Sequence, residues 1–336
     1  MASLPVKYRP QTFDEVDGQE LVCTALKNQV AQQQFRPMYL FAGSAGIGKT
    51  TVARIFAHAI TGTPQGVVEI DAASNSGVDA VLALREDAYY HPMTGTRKVY
   101  IIDECHVLTA AAIAALLTLL ENPPPYATFI LCTTDPGKLP LTILSRAQRY
   151  NFQRMSLETL ERRMQEVAIY EGRTVTPRCV QALARRARGC MRDALSMLDA
   201  VFAYLPDGTI DWADVAPLLE LAEEPLYWAL VEACAEHRAD TLARVLQDVH
   251  RSGRDWSVFF AGWVEHILRL REVQLLGVAA QADWMIEAED VGRRVQALSG
   301  DTLLAWIDKS LDTLGKLRYD PIPWLRIQAF FLLLGG

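Results

Sequence analysis

The chain has 336 residues, half of them apolar and 22% charged, with a formal net charge of −7 at pH 7. That length suggests two or three domains with real cores, and that charge argues against coating nucleic acid by bulk electrostatics alone. No apolar run reaches the length of a membrane span and the N-terminus lacks the apolar core of a signal peptide, so a cytoplasmic protein without membrane attachment is expected. Cys23, Cys105, Cys132, Cys179, Cys190 and Cys234 show no CxxC or other metal spacing, which predicts buried thiols rather than zinc ligands or disulfides.

In chain order, the first strong element is Met38–Ala42, an apolar run that reads as a strand. It is followed by Gly43-Ser44-Ala45-Gly46-Ile47-Gly48-Lys49-Thr50, which fits GxxxxGK[ST]. The glycines let successive backbone N–H groups face phosphates, Lys49 is suited to the β and γ oxygens, and Thr50 is suited to Mg²⁺. A helix over Thr50–Ile60, including Thr51, would aim its positive end at the same place. Strands are expected again at Val67–Asp71, Lys98–Ile102, Ala127–Cys132 and Arg149–Phe152. Helices are expected at Gly77–Tyr90 and Thr109–Asn122, the latter ending at Pro123-Pro124-Pro125. This alternation predicts an α/β domain: a parallel sheet with helices on both faces and its ligand at the carboxyl ends of the strands.

Val99-Tyr100-Ile101-Ile102-Asp103-Glu104 is an apolar strand ending in two carboxylates, about fifty residues after the phosphate loop. In a P-loop protein Asp103 would hold the metal, directly or through water, and Glu104 would orient the attacking water. Thr134, after the next strand, is placed to sense the γ-phosphate or to be an ordinary strand-end threonine. Arg146, in Ile143-Leu144-Ser145-Arg146, is placed either in solvent or across a subunit boundary on a neighbour's nucleotide.

After Met155 the strand signals cease and helices follow, with Ser156 and Thr176 as expected N-caps and Pro177 at a first helical position. A polar break at Pro206–Asp211 precedes a longer helical group rich in Trp and Phe, which suits either core packing or an oligomerisation surface. The expected division is 1–155 for the nucleotide-binding domain, 156–219 for a helical lid and 220–336 for an all-α C-terminal domain.

Lys7-Tyr8-Arg9-Pro10, Val16-Asp17-Gly18-Gln19-Glu20, the phosphate loop and Glu69-Ile70-Asp71-Ala72-Ala73-Ser74-Asn75 occur in a familiar order. So do Ile102–Glu104, Thr133–Pro136, Leu139–Arg146, Arg192–Ser196 and Leu317–Asp320. Together they resemble the gamma/tau family of ATPase subunits of the bacterial DNA polymerase III clamp loader, which are AAA+ proteins. The resemblance covers nearly the whole chain. It implies that Tyr8, Arg9 and Pro10, with Gly18 and Gln19, pack near adenine; that Thr134 is sensor 1 and Arg192 the sensor 2 arginine; and that Arg146 is a finger acting in trans. It implies ATP and Mg²⁺ as cofactors. It further implies a hetero- or homo-pentameric ring with other loader subunits, a sliding clamp and primer-template DNA as partners, and residues 220–336 as the collar that holds the ring.

The sequence departs from the family in four places. The usual four-cysteine zinc module is replaced by Thr61–Gly66, Ser-Arg-Cys reads Ser145-Arg146-Ala147, and the chain stops at the collar. Positions that often carry Lys or Arg toward DNA are Asn75, Gly77, Leu82, Ala110 and Thr118, leaving Arg85 and helix N-termini, so a weakened or shared DNA grip is expected. These features suit a reduced, bacteriophage-like loader subunit. Two other readings are a non-hydrolysing stator and an AAA+ remodeller of DNA junctions or helicases. The retained Lys49, Asp103, Glu104, Arg146 and Arg192 disfavour the first, and the Ser-Arg motif and collar-like tail the second.

Overall fold

Five strands pair in parallel in the order β2-β3-β4-β1-β5: β1 (Met38–Ala42), β2 (Val67–Asp71), β3 (Lys98–Asp103), β4 (Ala127–Thr133) and β5 (Gln148–Asn151). The computed structural model describes residues 2–92, 95–205, 208–211, 215, 223–277, 288–317 and 320–335. A parallel sheet is covered on both faces, so its central strands must be apolar at nearly every position. The central strands obey this: every residue of β1 and β4 is buried.

Alternate residues sort to opposite faces. Leu40, Tyr100, Ile102, Phe129 and Leu131 pack with α4 (Val78–Ala88) and α5 (Ala110–Glu121). Tyr39, Phe41, Val99, Ile101, Ile130 and Cys132 pack with α2 (Glu20–Gln32) and α3 (Lys49–Thr61). The expected strands are all present, with β5 one residue earlier than expected. Helix ends agree within two residues, and Thr109 caps α5 by accepting from Ala112 N at 3.2 Å.

Three helices follow the sheet: α7 (Leu157–Tyr170), α8 (Pro177–Arg186) and α9 (Met191–Tyr204), preceded by the short α1 (Leu4–Lys7) at the N-terminus and α6 (Leu141–Leu144). Ser156 caps α7, accepting from Thr159 N at 3.2 Å. One sequence expectation is met in position alone, and another is corrected here. Thr176 occupies the N-cap position of α8 but makes no side-chain cap bond; its hydroxyl donates to Asp211 Oδ1 at 2.7 Å instead. Strand structure also continues past Met155, in a two-residue parallel pair, β6 (Thr174–Val175) with β7 (Thr209–Ile210).

The chain divides into two compact units, Met1–Asp211 and Trp212–Gly336. The second contains α10 (Glu223–Ala235), α11 (Ala239–Arg251), α12 (Trp256–Leu276), α13 (Ala288–Gln296), α14 (Gly300–Leu317) and α15 (Pro323–Leu334). Its aromatic residues serve mainly its own core: Trp228, Phe259, Phe260, Trp263 and Phe331 are buried together. The expected boundary near Glu220, the turn at Pro206-Asp207, and Arg318-Tyr319 of the resemblance lie outside the described residues. Among the described residues no helix is long and apolar enough to cross a membrane.

Candidate functional site

The carboxyl ends of β1, β4 and β3 lie side by side, with Ala42 opposite Thr133 and Asp71 of β2 opposite Asp103. Between β1 and α3 the chain turns through Gly43–Gly48, and Gly43 N donates to Thr133 O at 3.2 Å. Gly46 (φ +68) and Gly48 (φ +103) hold left-handed conformations, which other residues adopt only at a cost. Lys49 is only 5% exposed, and its ammonium donates to the carbonyls of Gly43 at 2.9 Å and Ser44 at 2.7 Å. Burial pushes its pKa down, while Glu104 and Asp103 push it up more weakly. A buried cation held at a loop of backbone N–H groups and a helix N-terminus is a site for an anion.

The acids stand opposite. Thr50 Oγ1 donates to Asp103 Oδ2 at 2.8 Å, bringing a hydroxyl and a carboxylate together across the fold. This is a hard-oxygen pair of the kind that suits Mg²⁺. Glu104 has φ 47, an uncommon conformation for a residue with a side chain, and its own N–H donates to Asp103 Oδ1 at 3.1 Å. Its Oε2 accepts from Thr134 Oγ1 at 3.0 Å and from Thr134 N at 3.3 Å. His106 Nδ1 lies 3.3 Å from the same oxygen and 3.2 Å from Thr133 Oγ1. Thr134 therefore touches Glu104 rather than the open cavity.

The cavity between these groups is about 320 Å³, large enough for a nucleotide. Of the expected residues, it is lined by Tyr8, Arg9, Pro10, Ala45, Gly46, Gly48, Lys49, Thr50, Thr51, Asp103, Glu104 and Arg192. Gly43, Ser44 and Ile47 form the loop behind it. Gly18 and Gln19, expected beside adenine, do not line it: the buried Gln19 amide donates to Gln153 O at 2.7 Å and to Ile47 O at 3.3 Å, bracing the phosphate loop from behind. Arg146 is also away from the cavity, donating to Thr142 O at 3.1 Å with Glu121 at 3.9 Å.

Sequence reasoning missed several lining residues, notably Arg54, Asp71, Met155, Arg163 and Leu195. Arg54 was within reach, since it lies four residues after Thr50 on the same helical face. It pairs with Glu69 in two bonds of 2.7 and 2.6 Å. Arg9 is held below the usual arginine range by burial first and then by the charges of Arg54 and Arg192. Four guanidiniums, those of Arg9, Arg54, Arg163 and Arg192, thus line a cavity that also holds Lys49, with Asp103 and Glu104 among the acids on its wall, an arrangement that suits a polyanion bound with a cation.

A family model described as DNA polymerase III, delta subunit matches residues 64–156, and one described as DNA polymerase III clamp loader subunit, ATPase lid domain matches residues 159–204. The Holliday junction branch migration motor RuvB of Thermotoga maritima is similar in fold, with a TM-score of 0.54 at 22% identity, covering 64% of this chain and 73% of that one. Fold and site together define an AAA+ P-loop module with a helical lid. DNA polymerase III subunit tau of Escherichia coli (strain K12) is 36% identical over 298 residues, 82% of this chain and 46% of that protein. The Bacillus subtilis (strain 168) subunit tau is 34% identical over 346 residues, 96% of this chain and 60% of that protein. Over these shared residues the chain is similar to DNA polymerase III subunit tau, and its residues 159–204 match the ATPase lid domain of a clamp loader subunit. It spans about half the length of these relatives.

Proposed function

We propose that the chain is an ATP-hydrolysing motor subunit of a sliding-clamp loader, which opens the clamp and places it on primer-template DNA. The observation that carries this reading is the convergence of Lys49, Thr50, Asp103, Glu104 and Arg192 on one cavity. In it Lys49 and the loop N–H groups bind the β and γ phosphates, and Arg9 and Arg192 add charge from the N-terminal segment and the lid. The Thr50 hydroxyl and the Asp103 carboxylate are the groups that would hold Mg²⁺, which when bound would neutralise developing phosphate charge. Glu104 orients water, and Thr134 with His106 fixes where its carboxylate stands. Arg146, turned to the surface and half exposed, serves a neighbour's nucleotide in a pentameric ring of loader subunits, with residues 220–336 as the collar.

The DNA grip per subunit is weak on this reading. Asn75, Gly77, Ala110 and Thr118 are exposed and uncharged, so few phosphate contacts come from these helices. A stimulation assay tests the whole assignment. Turnover of ATP should rise when clamp and primed DNA are added together to the assembled loader, and Glu104→Gln should accumulate as an ATP-bound complex on clamp. Stimulation by a DNA junction or a helicase instead would favour the remodeller reading, and normal turnover in Glu104→Gln would remove Glu104 from its role.

A further inference from the structure

One wall of the cavity is not built from the sheet. Pro5, Tyr8, Arg9 and Pro10 line it from the N-terminal segment, and the fastenings of residues 4–8 run to the lid helices. Leu4 is buried, and its N–H donates to Asp199 Oδ2 of α9 at 3.4 Å. Glu171, which ends α7, is the main anchor: Oε1 accepts from the Tyr8 hydroxyl at 2.6 Å and from Lys7 Nζ at 2.7 Å. The Tyr8 ring stacks on Tyr170 of α7 with centroids 6.2 Å apart and planes 14° from parallel. The same helical part touches the phosphate loop from its other end, where Arg192 N donates to Gly46 O at 3.4 Å.

Glu171 does not line the cavity and plays no part in the chemistry assigned above. Its two donors are the consecutive residues where α1 gives way to the cavity wall: Lys7 ends α1, and Tyr8 is its C-cap, with φ −100 and ψ 22. Holding both on one carboxylate oxygen fixes the angle at which residues 8–10 leave the helix.

We propose that Glu171 is a positioning residue for the nucleotide: by fixing Tyr8 to α7 it makes the N-terminal wall of the cavity part of the lid. This rests on reading the cavity as the nucleotide site. Wall and lid then move together, and a nucleotide clasped between the wall and the phosphate loop also sets where Arg192 stands. The Tyr8 bond carries the effect. The Lys7 side chain is 51% exposed and surface ion pairs contribute little, whereas a hydroxyl donating to a carboxylate is among the stronger hydrogen bonds.

The test is an equilibrium titration of the full chain with N-methylanthraniloyl-ADP. Tyr8→Phe and Glu171→Ala should each weaken binding about five- to tenfold, and the double variant no more than either alone, because one bond is lost in all three. Glu171→Gln retains an acceptor for Tyr8 and should recover most of the affinity, while Lys7→Ala should stay within about twofold of the parent. Wild-type affinity in Tyr8→Phe, or multiplied losses in the double variant, would overturn the proposal; should Glu171→Ala fail to fold, Tyr8→Phe and Glu171→Gln decide it. Lys49→Ala separates the two levels. If it loses the probe while Tyr8→Phe does not, only the positioning role falls; if Lys49→Ala binds normally, the nucleotide reading falls and the proposal with it.

Discussion

Gly46 sits where the phosphate loop meets the lid, and two separate constraints fall on it. Its φ of +68 is left-handed, and a Cβ built there would overlap the Cys190 sulfur and stand 3.3 Å from Arg192 Cβ. The first constraint is a backbone cost of about 1–2 kcal/mol for any residue with a side chain. The second is positional, since Cys190 must shift and Arg192, two residues along, shifts with it. Gly62, the C-cap of α3, has nearly the same φ of +69 but nothing within 4 Å of its built Cβ. Gly62→Ala should therefore lose about 1–2 kcal/mol by denaturant unfolding followed by circular dichroism, and Gly46→Ala more than that, because Cys190 must also move. Only Gly46→Ala should also weaken nucleotide binding, since only there does the added methyl push the lid from the loop. Equal nucleotide affinity in the two variants would show that the lid contact does not matter to binding.

The element with the clearest measurable consequence is α12, which Asp255 caps by accepting from Ser257 N at 2.8 Å and Val258 N at 2.9 Å. It buries Phe259, Phe260, Trp263, His266, Ile267 and Leu270 at helical spacing. His266 is 4% exposed, with its ring 5.4 Å from Tyr227 and 5.0 Å from Trp228, and burial, helped by the Arg269 charge, pushes its pKa down to about 3. Once unfolded it titrates near 6.5, so below that pH the unfolded chain binds a proton that the folded chain refuses. Stability is complete above pH 6.5 and falls as the pH drops toward 3, by at most about 1.4 kcal/mol per pH unit from this residue. All seven tryptophans lie between Trp212 and Trp324, so tryptophan fluorescence reads this unit alone. His266→Gln should flatten the denaturant midpoint's dependence on pH across that window, and an unchanged slope would remove His266 as the cause. The sheet was more legible than such details. Strands covered on both faces are unbroken apolar runs, and Met38–Ala42 stood out residue for residue. The edge strand β5 alternates in exposure, and the buried Phe152 drew its expected end one residue late. The pair β6 and β7 is too short to leave a period. The phosphate loop and the acids were legible because their spacing is local. Arg163 and Leu195 reach the cavity, and Glu171 reaches Tyr8, from elements more than a hundred residues away, and nothing local in the sequence marks a convergence of that kind.

At the scale of the whole molecule the unsettled residue is Arg146. Its side chain is 46% exposed, and its acidic neighbour Glu121, at 3.9 Å, is itself exposed, so the pair contributes little to the chain's own stability. It lies outside the cavity that holds Lys49 and Arg192, which suits the role proposed for it on a neighbour. On the proposed assignment a cavity is a complete hydrolytic site only when a neighbour's Arg146 faces it. Arg146→Ala should therefore leave the melting temperature of the isolated chain nearly unchanged and its nucleotide affinity within about twofold of the parent, while hydrolysis by the assembled loader falls by about 10³-fold or more. Lys49→Ala should instead lose nucleotide binding in the isolated chain. Turnover per subunit of the parent chain should rise with loader concentration as assembly proceeds, and that rise should vanish in Arg146→Ala. Comparable losses of nucleotide affinity in Lys49→Ala and Arg146→Ala would place both residues in one chain's site, and undiminished hydrolysis in assembled Arg146→Ala would remove the finger.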